Sequence, residues 1–78
     1  MPKAFVLLNT EIGSEEQVLK ALMSIPGVQE AYLVYGVYDL IAKISSDDMD
    51  TLKNAIMTKI RQLDKVRSTL TMIVIEEK

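Results

Sequence analysis

The sequence predicts an α+β fold in which one four-stranded antiparallel sheet carries two helices on the same face. Short apolar runs typical of strands alternate with segments of helical periodicity, in the order β-α-β-β-α-β over the 78 residues. Each helical segment is apolar along one side only, as expected of a helix that covers one face of a sheet. Both crossovers between parallel strands should be right-handed, so both helices should lie on one face, as in the ferredoxin-like plait.

The first half of the chain predicts a strand followed by a helix. Residues 3–10 contain a continuous apolar run from Ala4 to Leu8, which is typical of a strand covered on both faces. The segment 14–17 reads Ser-Glu-Glu-Gln, the pattern of a capping box, in which serine and glutamine side chains satisfy the first backbone N–H groups. The helix should therefore begin there and end before Pro26-Gly27. Its buried side combines Val18, Leu22 and Ile25.

The second half predicts a hairpin, a helix and a last strand. Strands are expected at 28–35 and 38–44 and, because only Gly36-Val37 separates them, a tight turn should join them. Aspartates near residues 47–50 suit the start of the second helix, where negative charge is favoured. Its apolar positions recur in steps of three and four: Met49, Leu52, Ile56, Ile60 and Leu63. The last strand is expected at 66–75, before the charged residues 76–78.

The face of the sheet opposite the helices is also expected to be apolar. In the first strand Phe5 and Leu7 point away from Ala4, Val6 and Leu8, so both faces carry apolar side chains. A large exposed apolar patch usually marks an interface. A chain of this size has a marginal core, and without cysteine it has no disulfide to stabilise it. We therefore expect two copies to pack sheet to sheet, giving at least a dimer.

The composition argues against catalysis, metal binding and nucleic-acid binding. The chain has no His, Cys or Trp, so the commonest general base and the usual soft metal ligands are missing, and we expect no enzyme activity, metal or cofactor. The net charge of -2 and the lack of a basic, aromatic sheet face do not fit an RNA-binding plait. No apolar run approaches the roughly 20 residues that span a bilayer, so we expect a cytoplasmic protein.

Two polar segments interrupt the apolar strands and are candidates for ligand binding. Asp39 follows Gly36 in the expected hairpin, and its carboxylate could pair with an ammonium group, although an aspartate there could equally cap its own turn. Thr69 and Thr71 are two residues apart, so both hydroxyls should leave the same face of the last strand. Threonine is also common in strands for structural reasons, and spacing alone does not bring these side chains together.

At these residues the chain resembles the effector (RAM) domain of the Lrp/AsnC, or feast/famine, transcription regulators. The resemblance covers essentially the whole chain. It rests on Pro26-Gly27-Val28, on Ala31-Tyr32, on the hairpin Tyr35-Gly36-Val37-Tyr38-Asp39 with the following Leu40-Ile41, and on the last strand, Ser68 to Val74. It implies a domain that dimerises sheet to sheet, assembles into rings of dimers and binds amino acids at subunit interfaces near the hairpin. Carried over, it implicates Gly36, Tyr38 and Asp39, with Thr69 and Thr71 as further contacts.

Full-length members carry an N-terminal helix-turn-helix, whereas here the first strand is expected from Lys3. The resemblance therefore implies a stand-alone domain over 1–78 that does not bind DNA by itself. It would sense a free amino acid, modulate a full-length regulator through mixed oligomers, or do both. Two alternatives stay open: a small-ligand regulatory module of the ACT type, and a small enzyme of the dimeric α+β barrel kind.

Overall fold

The computed structural model describes residues 2–76, with only the backbone described at Met57. The elements follow the predicted order: β1 (Lys3–Thr10), α1 (Glu15–Met23), β2 (Val28–Leu33), β3 (Leu40–Ser45), α2 (Met49–Ala55) continued by a π-helical segment (Ile56–Ile60), and β4 (Val66–Ile73). The sheet is antiparallel with strand order β2-β3-β1-β4. This is the predicted plait, and Glu77 and Lys78 of the predicted charged end lie outside the described residues.

The core lies between the helices and one face of the sheet. In β1 every second residue from Ala4 to Thr10 is buried, which is the two-residue period of a strand with one core-facing side. Leu8 and Leu40 are paired across β1 and β3 and have no exposed surface. The helices cover them with the predicted apolar side chains, namely Val18, Leu22 and Ile25 of the first helical region and Leu52, Ile56 and Ile60 of the second. Burial of each such leucine or isoleucine contributes about 1.5–3 kcal/mol.

The two helices begin differently, and only one begins as predicted. Ser14 makes no side-chain cap bond, because its backbone (φ -105°, ψ 6°) lacks the extended conformation that aims a cap side chain at the helix start. The predicted capping box is therefore wrong. Asp48 has the extended conformation (φ -141°, ψ 165°), and its carboxylate accepts a 2.7 Å hydrogen bond from the Thr51 N–H. This bond lowers the pKa of Asp48, because it stabilises the ionised carboxylate.

The connection between β2 and β3 is longer than the predicted two-residue turn. β2 ends at Leu33 and β3 begins at Leu40. The Asp39 N–H donates to Leu8 O of β1 (2.9 Å), and Asp39 O accepts from the Val34 N–H (2.9 Å). Asp39 thus bonds to β1 and to Val34, the residue after β2, and these bonds close the loop. Tyr35 is fully exposed at the tip of the loop. β4 likewise ends at Ile73 rather than at residue 75, although the Val74 N–H still donates to Lys3 O (3.0 Å).

The sheet face without helices is apolar, as predicted. We call this surface the open sheet face; its central side chains are Phe5, Leu7, Tyr32, Ile41, Leu70 and Met72. Leu7 is paired with Leu70 on one side and with Ile41 on the other, so the apolar side chains form a continuous patch. At one margin Glu30 accepts a 2.6 Å hydrogen bond from the Tyr32 hydroxyl and lies 3.8 Å from the Lys43 ammonium. The bond to Glu30 raises the pKa of Tyr32.

Candidate functional site

The Asp39 carboxylate lies at the end of the sheet and bonds to β1 rather than to its own turn. Its Oδ2 atom accepts a 2.9 Å hydrogen bond from the Thr10 N–H, beside the backbone bond from Asp39 to Leu8. The alternative in which this carboxylate caps its own turn is therefore wrong. Within residues 2–76, Oδ1 of Asp39 receives no hydrogen bond. One oxygen of the carboxylate thus fixes the hairpin, and the other is available to a ligand.

A cavity of about 500 Å³ opens beside this carboxylate, where β1 ends and β4 begins. We call it the Asp39 cavity; it is lined by Asn9, Thr10, Ile12, Asp39, Arg67 and Ser68. Asn9 and Ser68 are paired across β1 and β4, and the Asn9 amide donates to the Ser68 hydroxyl at 3.3 Å. Asp39 and Arg67 form no ion pair with each other. The cavity therefore presents a carboxylate and a guanidinium that do not neutralise each other by direct contact.

The Thr10 hydroxyl is the most unusual polar group in the cavity wall. Thr10 is only 4% exposed, and its Oγ1 atom is buried without a hydrogen-bond partner. A buried polar group without a partner costs about 1–3 kcal/mol, so such groups are rare in folded proteins. Thr10 also lines the Asp39 cavity, but its hydroxyl oxygen is itself buried, so a bound molecule would reach this hydroxyl only if the cavity wall shifted.

The structure does not bring the five predicted site residues together. Asp39 lines the cavity, whereas Gly36 and Tyr38 lie in the hairpin and do not. Gly36 has a φ of 155°, and a Cβ built on it would meet nothing within 4 Å. Thr69 and Thr71 share one face of β4, as predicted, but it is the helix-covered face, since they are paired with the buried residues Leu8 and Val6. Thr71 lines a separate groove against the second helix, and Thr69 lines neither cavity.

Five lining residues were not predicted as ligand contacts from the sequence: Asn9, Thr10, Ile12, Arg67 and Ser68. The signal that could have found them is positional. Asn9-Thr10 are the first polar residues after the apolar run of β1, and Arg67-Ser68 stand at the start of β4. These two segments meet only if β1 and β4 are antiparallel neighbours, as in the plait.

The described residues offer neither a metal site nor a membrane-spanning helix. Among residues 2–76, no group of three or more acidic, His or Cys side chains is arranged to hold a metal ion. No described helix has the length and apolarity needed to cross a membrane.

The fold and the cavity define a small ligand-binding α+β domain. The model of the Lrp/AsnC ligand binding domain matches residues 3–78, and the chain belongs to this family. The crystal structure of the hypothetical protein PHS023 from Pyrococcus horikoshii superimposes with a TM-score of 0.90 and 44% identity, over 99% of this chain and 93% of that one.

Longer relatives carry the same domain. The HTH-type transcriptional regulator PH1916 of Pyrococcus horikoshii is 30% identical over 73 residues, which cover 90% of this chain and 49% of the relative. Regulatory protein AsnC of Escherichia coli is 34% identical over 58 residues, which cover 74% of this chain and 38% of that protein. The chain thus spans about half the length, or less, of these curated relatives. They are transcriptional regulators, not enzymes, in agreement with the expectation that this chain is not an enzyme.

Proposed function

We propose that this chain is a regulatory domain that binds a free α-amino acid in the Asp39 cavity. The observation that carries the proposal is the pairing of an unneutralised carboxylate and guanidinium with a buried, partnerless hydroxyl in one small cavity. An α-amino acid carries an ammonium and a carboxylate a few atoms apart, so it complements both charges at once. The family's ligand-binding role supports the binding of a ligand by this chain, and the resemblance of the hairpin favours an amino acid as that ligand.

In the proposed complex each charged group of the ligand has a defined partner. The ammonium donates to Oδ1 of Asp39, while Oδ2 keeps its bond to the Thr10 N–H. The carboxylate accepts from Arg67, and the Thr10 hydroxyl supplies a further hydrogen bond. Among the lining side chains only Ile12 is apolar, and it is 95% exposed. An aliphatic ligand side chain would therefore need apolar contacts from a neighbouring subunit.

The exposed apolar residues indicate where such subunits would pack. The open sheet face is suited to a second copy, since Leu70 and Met72 are 45% and 47% exposed in the single chain. A second apolar group, Ile12, Tyr35 and Val37, lies on the loops at the cavity end of the sheet and is almost wholly exposed. We propose that the open sheet face forms dimers and that the loop residues join dimers into a ring, which places the Asp39 cavity at a subunit boundary.

The regulatory output is proposed to depend on a longer partner. The matched relatives include an HTH-type transcriptional regulator, whereas the 78 residues here carry a net charge of -2, which does not favour binding to DNA. We propose that it does not bind DNA alone and acts by forming mixed oligomers with a full-length Lrp/AsnC-type regulator in the cytoplasm. A sequence-selective complex between the chain alone and duplex DNA at physiological salt would contradict this part of the proposal.

A thermal-shift panel of the common amino acids tests the ligand class. A ligand at about a hundred times its Kd stabilises the folded state by about 2.7 kcal/mol, so one or a few amino acids should raise Tm by roughly 10–20 °C. The N-acetyl derivative of the same amino acid lacks the ammonium and should give no shift. If no amino acid changes Tm, or if the acetylated form works equally well, the proposed ligand class is wrong.

A further inference from the structure

A second cavity lies on the opposite, helix-covered side of β4 and is not used by the proposed function. We call it the Thr71 groove; its volume is about 270 Å³, and it is lined by Lys53, Ile56, Arg61, Thr71 and Ile73. It shares no lining residue with the Asp39 cavity. Thr71 was expected at the amino-acid site, so its position here leaves its hydroxyl without an assigned role.

The π-helical segment shapes this groove. The Arg61 N–H donates to Ile56 O at 3.1 Å, a bond that spans five residues instead of four. In a regular α-helix, residues five apart point about 140° away from each other, because each residue turns the helix by about 100°. The wider turn brings them closer, so Arg61 and Ile56 line the same groove. Lys53 precedes Ile56 by three residues and therefore lies on the same side of the helix.

The groove combines an apolar floor with cations at its margin. Ile56 is 3% exposed and Ile73 is half-buried, so the two isoleucines form an apolar base. Lys53 and Arg61 supply positive charge, and no acidic side chain lines the groove. Within residues 2–76 the Lys53 ammonium forms no ion pair or hydrogen bond. Thr71 also lines the groove and carries a hydroxyl that can donate a hydrogen bond.

From this arrangement we propose that the Thr71 groove binds a short aliphatic carboxylate. The carboxylate lies at Lys53 and Arg61 and accepts from the Thr71 hydroxyl, while the hydrocarbon chain packs on Ile56 and Ile73. The volume is just below the roughly 300–1,000 Å³ of sites for drug-sized ligands, so a short chain fits. An amino acid is disfavoured, because its ammonium would lie beside the Lys53 ammonium and no acidic side chain lines the groove. The two cavities therefore select different ligands.

Methyl NMR of the assembled protein, titrated with hexanoate, tests this proposal. Signals of Ile56 and Ile73 should shift in a saturable way, whereas the Ile12 methyl, which reports on the Asp39 cavity, should not. Hexylamine, which reverses the charge, and acetate, which lacks the chain, should not shift either groove signal. The proposal would be overturned if only the Ile12 signal shifted. It would also be overturned if the Ile56 and Ile73 signals did not shift, as when a neighbouring subunit fills the groove.

Charge variants test whether the cation at Lys53 takes part. Lys53→Gln should weaken hexanoate binding by roughly two- to five-fold, the range expected for an exposed ion pair. Lys59→Gln is the matched control, since Lys59 is exposed on the same helical region and does not line the groove. Equal affinities of both variants and the wild type would contradict the proposed role of Lys53. Failure of this proposal would leave the amino-acid proposal intact, because the sites share no residue.

Discussion

Thr10 is buried to 96% and has a backbone N–H that is satisfied by Asp39 and a hydroxyl that is not satisfied at all. Valine has nearly the same shape and would fill the same space without an unmet hydrogen bond. A threonine at this position lowers stability relative to valine unless something outside the described chain bonds to it. We interpret the hydroxyl as a ligand contact whose structural cost is offset when the amino acid binds.

Thr10→Val should therefore raise the stability of the ligand-free protein and weaken ligand binding. We expect the free energy of unfolding to rise by about 1 kcal/mol and the Kd to rise by about five- to ten-fold, since a neutral hydrogen bond contributes about 1 kcal/mol. Denaturant titration and calorimetry measure the two effects. Thr69→Val is the comparison variant, because Thr69 belongs to the site predicted from the sequence, whereas Thr10 lines the Asp39 cavity. If Thr69→Val weakens binding and Thr10→Val does not, the ligand lies on the helix-covered face instead.

Asp39 has both a structural and a proposed ligand-binding role, and the choice of substitution separates them. Asp39→Asn removes the charge but keeps an oxygen that can accept from the Thr10 N–H. Asp39→Ala removes the charge and the accepting oxygen together. Asp39→Asn should raise the Kd by roughly ten- to a hundred-fold with little change in Tm. Asp39→Ala should weaken binding similarly and also lower Tm. Wild-type affinity in the asparagine variant, measured by calorimetry, would exclude the proposed pairing with the ammonium.

At the scale of single elements, the start of α2 depends on the ionised side chain of Asp48. Its carboxylate accepts from the Thr51 N–H, and its pKa is lowered in the folded protein. A group with a depressed folded-state pKa stabilises the fold above its unfolded pKa and loses that effect as pH falls through the folded value. Asp48→Ala should lower Tm by roughly 4–8 °C near pH 7, and the difference from wild type should shrink in acid below the lowered pKa.

Asp47→Ala is the matched control for that measurement, because the neighbouring aspartate is exposed and accepts no hydrogen bond within residues 2–76. Its Tm should stay close to that of the wild type over the same pH range. If the two alanine variants lose stability equally, general negative charge near the helix start matters, and the specific cap at Asp48 does not.

The elements also show how far the sequence alone could predict this protein. The apolar periodicity of β1 and of the two helices predicts the core correctly, because a face is determined by spacing within one segment. The Ser-Glu-Glu-Gln segment at 14–17 predicted a side-chain cap at Ser14, but the backbone conformation of Ser14 does not allow that hydrogen bond. The Asp39 cavity was only partly predictable, because Asn9 and Arg67 are distant in sequence and meet only through the pairing of β1 with β4.

At the scale of the whole molecule, the open sheet face is proposed to hold the assembly together. Leu70→Glu places a charge on this face, beside Leu7 of the central strand β1, and should reduce the mass measured by light scattering from at least a dimer to the monomer, since burying an unpaired charge is costly. Met23→Glu is the matched control: Met23 is 51% exposed on α1, compared with 45% for Leu70, but lies away from the open sheet face. An unchanged mass for Leu70→Glu would contradict the sheet-to-sheet dimer.

The most direct test of an oligomeric amino-acid-binding domain is a crystal structure grown with a mixture of the common amino acids. We expect density for one amino acid in the Asp39 cavity, with its ammonium at Asp39, its carboxylate at Arg67 and a hydrogen bond to the Thr10 hydroxyl. We also expect that residues of a second subunit close the cavity. An amino acid bound away from these three residues, or a cavity left empty at saturating ligand, would contradict the account.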